Sequence, residues 1–109
     1  MRREAIHPGE HLAEQLNALD MSAAAFARWI GVPTNRVTEL LNGRRAISAD
    51  TALRLARAFN TSARFWMNLQ VLHDLRVAET QTGAKFTKIT PVAKVPVRAA
   101  RRVATEHVH

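Results

Sequence analysis

The chain has 109 residues, no cysteine, 47% hydrophobic residues and a formal net charge of +7, a size that suits one domain with a tail. The lack of cysteine excludes a disulfide scaffold, a thiol nucleophile and a cysteine-based zinc site. No apolar run reaches membrane-spanning length and the first residues lack the apolar segment of a signal peptide, so we expect a cytoplasmic protein with no membrane contact.

Apolar spacing and capping residues predict five helices. The first begins with Pro8 in its first turn and turns three leucines inward: Leu12, Leu16 and Leu19. All three serines precede runs with helical apolar spacing, which predicts that they cap helices: Ser22, Ser48 and Ser62 (or Thr61 beside it). No serine is then left as a candidate nucleophile. The prediction is an all-α fold with helices at about residues 8–19, 22–30, 33–42, 48–59 and 62–78.

Residues 26–45 form the most informative stretch. Helical i, i+3, i+4 spacing occurs on both sides of Gly31, with Phe26, Ala27 and Ile30 before it and Val37, Leu40 and Leu41 after it. Gly31 suits a sharp turn because glycine adopts a positive φ without a Cβ clash. Two helices joined by such a turn are typical of the helix-turn-helix motif, whose second helix enters the DNA major groove.

The outward face of the second helix is polar and carries Asn35, Thr38, Glu39 and Asn42, and Thr34 lies at the open N-terminal end. Asn pairs with adenine, Thr contacts a base edge or a thymine methyl, and Glu accepts from cytosine, so the candidate base-reading residues are Thr34, Asn35, Thr38 and Glu39. Arg36 flanks this face, and Arg44 and Arg45 follow the helix where they can contact phosphates. The alternative is a solvated amphipathic helix that touches nothing.

The fifth predicted helix has more apolar surface than one small domain needs. One stripe consists of Phe65, Leu69 and Leu72 with Trp66 beside it, and a second surface consists of Met67, Val71 and Leu75. Because exposed apolar patches of this size are rare on monomers, we expect the second surface to contact a partner subunit in a homodimer. The alternative is that the chain's own tail covers it.

The last quarter of the chain has a different composition. Residues 84–109 carry six Lys and Arg against one Glu, a net charge of +5 that leaves only +2 for the rest. Proline, lysine and β-branched residues at 85–96 favour an extended arm or an edge strand, and 98–109 form a short basic helix or nothing regular. We therefore predict a basic, extended C-terminal arm at 81–109 that contacts DNA or packs along the fifth helix. If the arm packs along the fifth helix, the contacts come from Phe86, Ile89 and Val92.

The sequence contains no catalytic or cofactor-binding constellation and predicts neither an enzyme nor a cofactor. His7 and His11 have the i, i+4 spacing of metal ligands on a helix. His7, however, precedes Pro8 and lies outside the predicted helix, and no third ligand accompanies the pair. We therefore expect solvated histidines and no metal site, and His107 and His109 belong to the same class.

Seven short motifs occur together within about residues 5–80. They are His7-Pro-Gly-Glu10, Gly31-Val-Pro33, Arg36, Leu41-Asn-Gly-Arg-Arg-Ala-Ile-Ser48, Asp50-Thr-Ala-Leu-Arg-Leu-Ala-Arg57, Thr61-Ser62 and Phe65-Trp-Met-Asn-Leu-Gln70. In combination they closely resemble the HigA antitoxins, the HigA/VapI branch of the Xre-type (Cro/λ-repressor-like) helix-turn-helix superfamily. The resemblance implies a five-helix DNA-binding domain, a homodimer, repression of the antitoxin's own operon, and neutralisation of a HigB toxin that resembles RelE-type mRNA endonucleases.

The resemblance also implies which residues touch DNA. Base reading falls on Thr34, Asn35 and Glu39 with Thr38 beside them, and phosphate contacts fall on Asn42, Arg44 and Arg45. Many relatives have a Gln just after the cap of the second helix that bonds the DNA backbone, and here this position is Ala23. Either Arg28 or Arg36 replaces that contact, or the chain binds DNA less tightly. Two alternatives stay open: a stand-alone Xre-type regulator with no toxin partner, and a protein-interaction domain that has lost DNA binding.

Overall fold

The structure is a computed structural model that describes residues 6–94. It confirms the all-α, five-helix prediction with α1 at Pro8–Leu19, α2 at Ala23–Ile30, α3 at Thr34–Leu41, α4 at Ala49–Phe59 and α5 at Ala63–Phe86. No helix among these residues combines the length and the apolar composition needed to cross a bilayer. The expectations for 98–109, including the short basic helix, lie outside the described residues.

The three serines cap helices as predicted. The Ser22, Ser48 and Ser62 hydroxyls accept from backbone N–H groups of the first turns of α2, α4 and α5 at 3.1, 3.3 and 3.0 Å. Each cap satisfies one of the N–H groups that a helix start leaves without an intrahelical partner. Thr61, the alternative cap of α5, instead accepts from the indole N–H of Trp66 at 2.9 Å.

A single apolar core holds the helices together, and every helix contributes to it. Its buried members are Leu12, Leu16, Phe26, Ala27, Val37, Leu40, Ile47, Ala52, Leu55 and Trp66. The prediction that Leu19 faces inward is wrong, because this residue at the end of α1 is 48% exposed.

The two-stripe description of α5 needs a correction as well. Trp66 and Gln70, four residues apart, are buried, and they define the core-facing side of the helix. Phe65 and Leu72, seven residues apart, lie away from that side and are 37% and 55% exposed. Counting apolar residues missed this rotation because Gln70, a polar residue, occupies a core position.

Helix α5 continues to Phe86 instead of ending near residue 78. It is interrupted at Thr82, where φ is −136° and ψ is 17°, and the Thr82 hydroxyl donates to the Ala78 carbonyl at 2.9 Å. A Thr hydroxyl bonded to the carbonyl four residues earlier bends helices. Within residues 6–94 there is no edge strand: Phe86, expected in an arm, is helical, and Val92–Lys94 form a 3₁₀ turn.

The start of α1 packs against the end of α3 with no space between the backbones. A Cβ added to Gly9 would lie 2.8 Å from the carbonyl carbon of Leu40 and closer still to its oxygen. Since the obstacle is backbone and not the tip of a flexible side chain, only glycine fits at this position. Gly9 therefore sets the distance between α1 and α3.

We expect Gly9→Ala to destabilise the protein by about 1–3 kcal/mol, the usual cost of inserting a methyl group into a packed contact. The matched control is Gly83→Ala, because a Cβ at Gly83 meets nothing within 4 Å. That variant should be neutral or more stable by up to about 1 kcal/mol, as helical Gly-to-Ala changes are. Urea unfolding followed by circular dichroism measures both, and equal stabilities would contradict the close approach of α1 to α3.

Candidate nucleic-acid interface

Helices α2 and α3 are joined by the tight turn that the sequence predicted. Gly31 has φ of +76°, and its N–H donates to the Ala27 carbonyl at 2.9 Å, which closes α2. Pro33 then precedes α3 and offers no side-chain cap. The chain therefore passes from α2 to α3 through a three-residue turn, as in a helix-turn-helix unit.

The two faces of α3 have the expected characters. Val37 and Leu40 are each 2% exposed and fix the inner face. Thr34 and Asn35, at the N-terminal end, are exposed, whereas Thr38 and Glu39 are half-buried. The structure thus places Asn35, Thr38 and Glu39 on the outer side of α3, with Thr34 exposed at its N-terminal end.

Two of these four side chains already have partners within the protein. The Thr38 hydroxyl donates to the Asn35 carbonyl at 3.2 Å. One Glu39 carboxylate oxygen accepts from Arg45 Nε at 3.0 Å and from Arg45 Nη2 at 2.7 Å. Glu39, expected to contact a base, is therefore bonded to Arg45, expected to contact a phosphate. A contact of either residue with DNA competes with this ion pair.

Arg36 has a partner that the sequence analysis did not foresee. Its guanidinium lies 3.1 Å from Asp50, which also accepts from Arg54 at 2.9 Å, and Arg54 in turn donates to the Ile30 and Gly31 carbonyls at 2.8 and 3.3 Å. The hydrogen bond from Arg54, together with the positive charges of both arginines, lowers the pKa of Asp50. Arg36 is thus directed towards α4. The i, i+4 spacing of Asp50 and Arg54 predicts only the pair within α4 and gives no signal for the contact with Arg36.

The remaining candidate phosphate contacts are accessible. Asn42, Arg44 and Arg45 lie exposed in the loop that follows α3, and Arg28 lies exposed in the last turn of α2. Ala23 lies at the other end of α2, about 7.5 Å along the helix axis and about 140° around it from Arg28. Arg28 would therefore approach DNA from a different part of α2 than a residue at position 23 does.

The loop after α3 is fixed from behind by Gln70, a residue that sequence reasoning missed. Its side-chain oxygen accepts from the buried N–H of Ile47 at 2.7 Å, and its amide donates to Asp74 at 2.9 Å. A buried N–H without a partner costs about 1–3 kcal/mol, so Gln70 is needed at this core position.

The prediction that the two N-terminal histidines form a solvated pair is wrong. His7 is buried, and its Nδ1 atom accepts from the Gly9 N–H at 2.9 Å as the cap of α1. His11 contacts the rings of Phe65 and Trp66, with centroids 5.4 and 5.3 Å away. Within residues 6–94, no three histidine, aspartate or glutamate side chains lie close enough together to hold a metal ion.

This geometry defines a helix-turn-helix protein, and residues 12–66 match the helix-turn-helix family. Virulence-associated protein I of Dichelobacter nodosus is 46% identical over 76 residues, which are 69% of this chain and 70% of that protein. A HigA-family addiction module antidote protein from Coxiella burnetii is 52% identical with a TM-score of 0.79, over 82% of this chain and 99% of that one. Pseudomonas aeruginosa antitoxin HigA, solved with the higBA promoter, is 43% identical with a TM-score of 0.77, over 81% of this chain and 98% of that one.

The chain therefore belongs to the helix-turn-helix family, in the HigA/VapI branch of its Xre type. The resemblance seen in the sequence motifs is confirmed. Membership of this family also agrees with the expectation that the chain is not an enzyme, because the family consists of DNA-binding antitoxins and regulators.

Proposed function

We propose that the protein binds an operator in double-stranded DNA with α3 in the major groove. The exposed polar side of α3 supports this proposal most directly, because it is flanked by the exposed, arginine-bearing loop of residues 42–45. The promoter bound to the HigA relative from P. aeruginosa adds support. In this arrangement Thr34 and Asn35 read bases first, and Thr38 and Glu39 lie deeper along the groove.

Phosphate contacts come from the exposed residues around α3, which are Arg28, Asn42, Arg44 and Arg45. Arg44 has no ion pair within residues 6–94, so its charge is available without a competing carboxylate. To contact a phosphate, Arg45 must either break its ion pair with Glu39 or keep the pair while it binds. Arg36 must break its ion pair with Asp50. We therefore expect Arg44 to be the simplest phosphate contact and Arg36 the weakest of the set.

We expect Arg44→Ala to weaken binding to all DNA sequences and to reduce the slope of log K against log salt by about one, as loss of one phosphate contact does. Asn35→Ala should instead cost about 1–3 kcal/mol on the operator and relax the preference at one base pair. Fluorescence anisotropy over a salt series, on operator and scrambled duplexes, measures both.

The control for charge is Arg57→Ala, which removes an exposed arginine from α4 and should leave the salt slope unchanged. Arg45→Ala also releases Glu39 and is the less direct test. Equal weakening of operator and scrambled DNA by Asn35→Ala would show that α3 does not read bases at this position.

A second copy of the chain is the partner we propose for the exposed side of α5. Val71 and Leu75 are 49% and 55% exposed, and Leu72 is exposed beside them. Val71 also lines a groove of about 410 Å³ between α4 and α5, whose other walls include Ala52 and Met67. Three exposed apolar side chains are thus grouped on one segment of α5, and isolated monomers rarely expose such groups. The dimer would present two α3 helices to an inverted repeat with half-site centres about 34 Å apart.

Val71→Glu and Leu75→Glu should each weaken dimerisation at least about 100-fold, because an unpaired charge in an apolar interface costs several kcal/mol. Met67, the third residue of the predicted interface, packs against the core, so its substitution would also change the stability of the fold. Leu19→Glu is the matched control, because it places the same charge on an exposed leucine of α1. Sedimentation velocity gives the association state, and a monomeric wild type at micromolar concentration would refute the dimer.

We further propose that the protein represses its own operon and neutralises a HigB toxin of the RelE-like mRNA endonuclease class, acting in the cytoplasm. The support is membership of the HigA branch, together with the likeness to the addiction module antidote protein of C. burnetii. Residues 84–109 carry a net charge of +5, and the resemblance implies a toxin that is itself basic, so the arm and the toxin would repel each other. We therefore expect the arm to favour DNA.

Co-expression with the product of the neighbouring reading frame tests this proposal. We expect the full chain to co-purify with a short RelE-like protein and to restore growth, whereas Arg44→Ala should restore growth but derepress the operon. Deleting 84–109 should flatten the salt dependence of operator binding and leave growth rescue intact. Normal operator binding without rescue would assign toxin binding to the arm, and the absence of any toxin gene would indicate a stand-alone regulator.

A further inference from the structure

The imidazole ring of His7 lies where three parts of the domain meet. The residue is 9% exposed and immediately precedes α1. Its ring lies edge-on to the ring of His73 in α5, with centroids 4.9 Å apart. A Cβ added to Gly43 would lie 3.9 Å from His7 Cγ, so the ring also borders the loop after α3.

A polar contact ties the same ring to α1. Nδ1 accepts from the Gly9 N–H at 2.9 Å. A ring that accepts through Nδ1 cannot carry a proton there, so the neutral imidazole is the form that makes the cap.

The surroundings of the ring favour this neutral form. Burial lowers the pKa of His7, and the neighbouring His73 lowers it further. The backbone of Arg45 and the carboxylates of Asp74 and Glu10 act in the opposite direction, but the sum is a lowered pKa. The lowered pKa therefore favours the neutral imidazole that caps α1.

The loop has few anchors of its own. The residues from Asn42 to Ala46 are all exposed, so no side chain among them anchors the loop in the core. Apart from the bond of Arg45 to Glu39 on α3, the loop is held from outside, as by Gln70 at Ile47. Its backbone is bonded to α3, with Gly43 N–H donating to Leu40 at 3.1 Å and Arg44 N–H donating to Glu39 at 2.8 Å. The orientation of the loop relative to the rest of the domain thus depends on contacts made to it from outside.

Capping alone does not explain a histidine at position 7. Helices α2, α4 and α5 are capped by the short side chains of Ser22, Ser48 and Ser62. A serine at position 7 could accept from a first-turn N–H of α1 in the same way, but it is too short to border Gly43. The ring therefore supplies a contact between α1 and the loop that the usual cap does not.

We propose that His7 is a positioning residue for DNA binding, whose ring holds the Asn42–Arg45 loop against α1 and α5 so that Arg44 and Arg45 are aimed at the phosphates. Being buried, His7 does not touch DNA itself. This inference rests on the proposed function, because it assumes that the loop contacts the operator.

His7→Ser tests the inference because it keeps a capping oxygen and removes the ring. In the free protein, hydrogen exchange at the Gly43 and Arg44 amides should accelerate at least about tenfold, while exchange in α1 stays unchanged. Operator and scrambled DNA should both be bound less tightly, and the salt slope should flatten by about one to two. Discrimination between operator and single-base variants should persist, since α3 is untouched.

Two further variants separate positioning from stability. Leu16→Ala lowers the stability of the core at the other end of α1 and should leave the salt slope unchanged when folded. His7→Asn retains a strong capping side chain and serves in place of His7→Ser if that variant does not fold. It should show the same accelerated exchange in the loop.

Wild-type exchange in the loop and a wild-type salt slope in His7→Ser would overturn the inference, even if operator binding by the wild type is confirmed. Accelerated exchange with unchanged DNA binding would overturn it too, because loop order would then not matter for the phosphates. Failure of the proposed function has a different signature: the wild-type protein itself would show no salt-dependent binding to DNA.

Discussion

Burial of Val37 and Leu40 is the constraint on which the DNA-facing surface depends. Helix α3 has only eight residues, and a helix this short is unstable in water by itself. Its two inner side chains, each 2% exposed, attach it to the core and at the same time set its rotation. Asn35 must then point outward. The stability of the helix and the orientation of its polar side have one common origin.

The rest of the domain restrains the ends of α3. At the start, Arg54 bonds the carbonyls of the turn between α2 and α3. At the end, Gly9 lets α1 approach the Leu40 carbonyl, and Gln70 satisfies the N–H of Ile47. Exposed ion pairs contribute little stability one by one. The exposed ion pair between Arg36 and Asp50 acts through geometry, because it connects α3 to α4 and limits the motions that would misalign a DNA-binding helix.

In the free protein Glu39 and Arg45 form an ion pair with which a DNA phosphate would compete. Two guanidinium nitrogens of Arg45 donate to one Glu39 oxygen, the shorter bond being 2.7 Å, and these bonds hold the guanidinium at α3. A phosphate would compete with the carboxylate for the same guanidinium, so part of the binding free energy is spent on an exchange of partners. The neighbouring Arg44 makes no such exchange, and the two arginines are therefore not equivalent despite being adjacent in sequence.

The sequence by itself determined the features that depend on near neighbours along the chain. The serine caps, the Gly31 turn and the apolar side of α3 each follow from residues within about four positions of one another, and all were confirmed. Only the tertiary structure decided the partners of His7, Arg36 and Gln70. Arg36 meets Asp50 14 residues away, and Gln70 meets Ile47 23 residues away. Contacts of this kind depend on how helices pack, and a polar residue at a packed position leaves no periodic signal in the sequence.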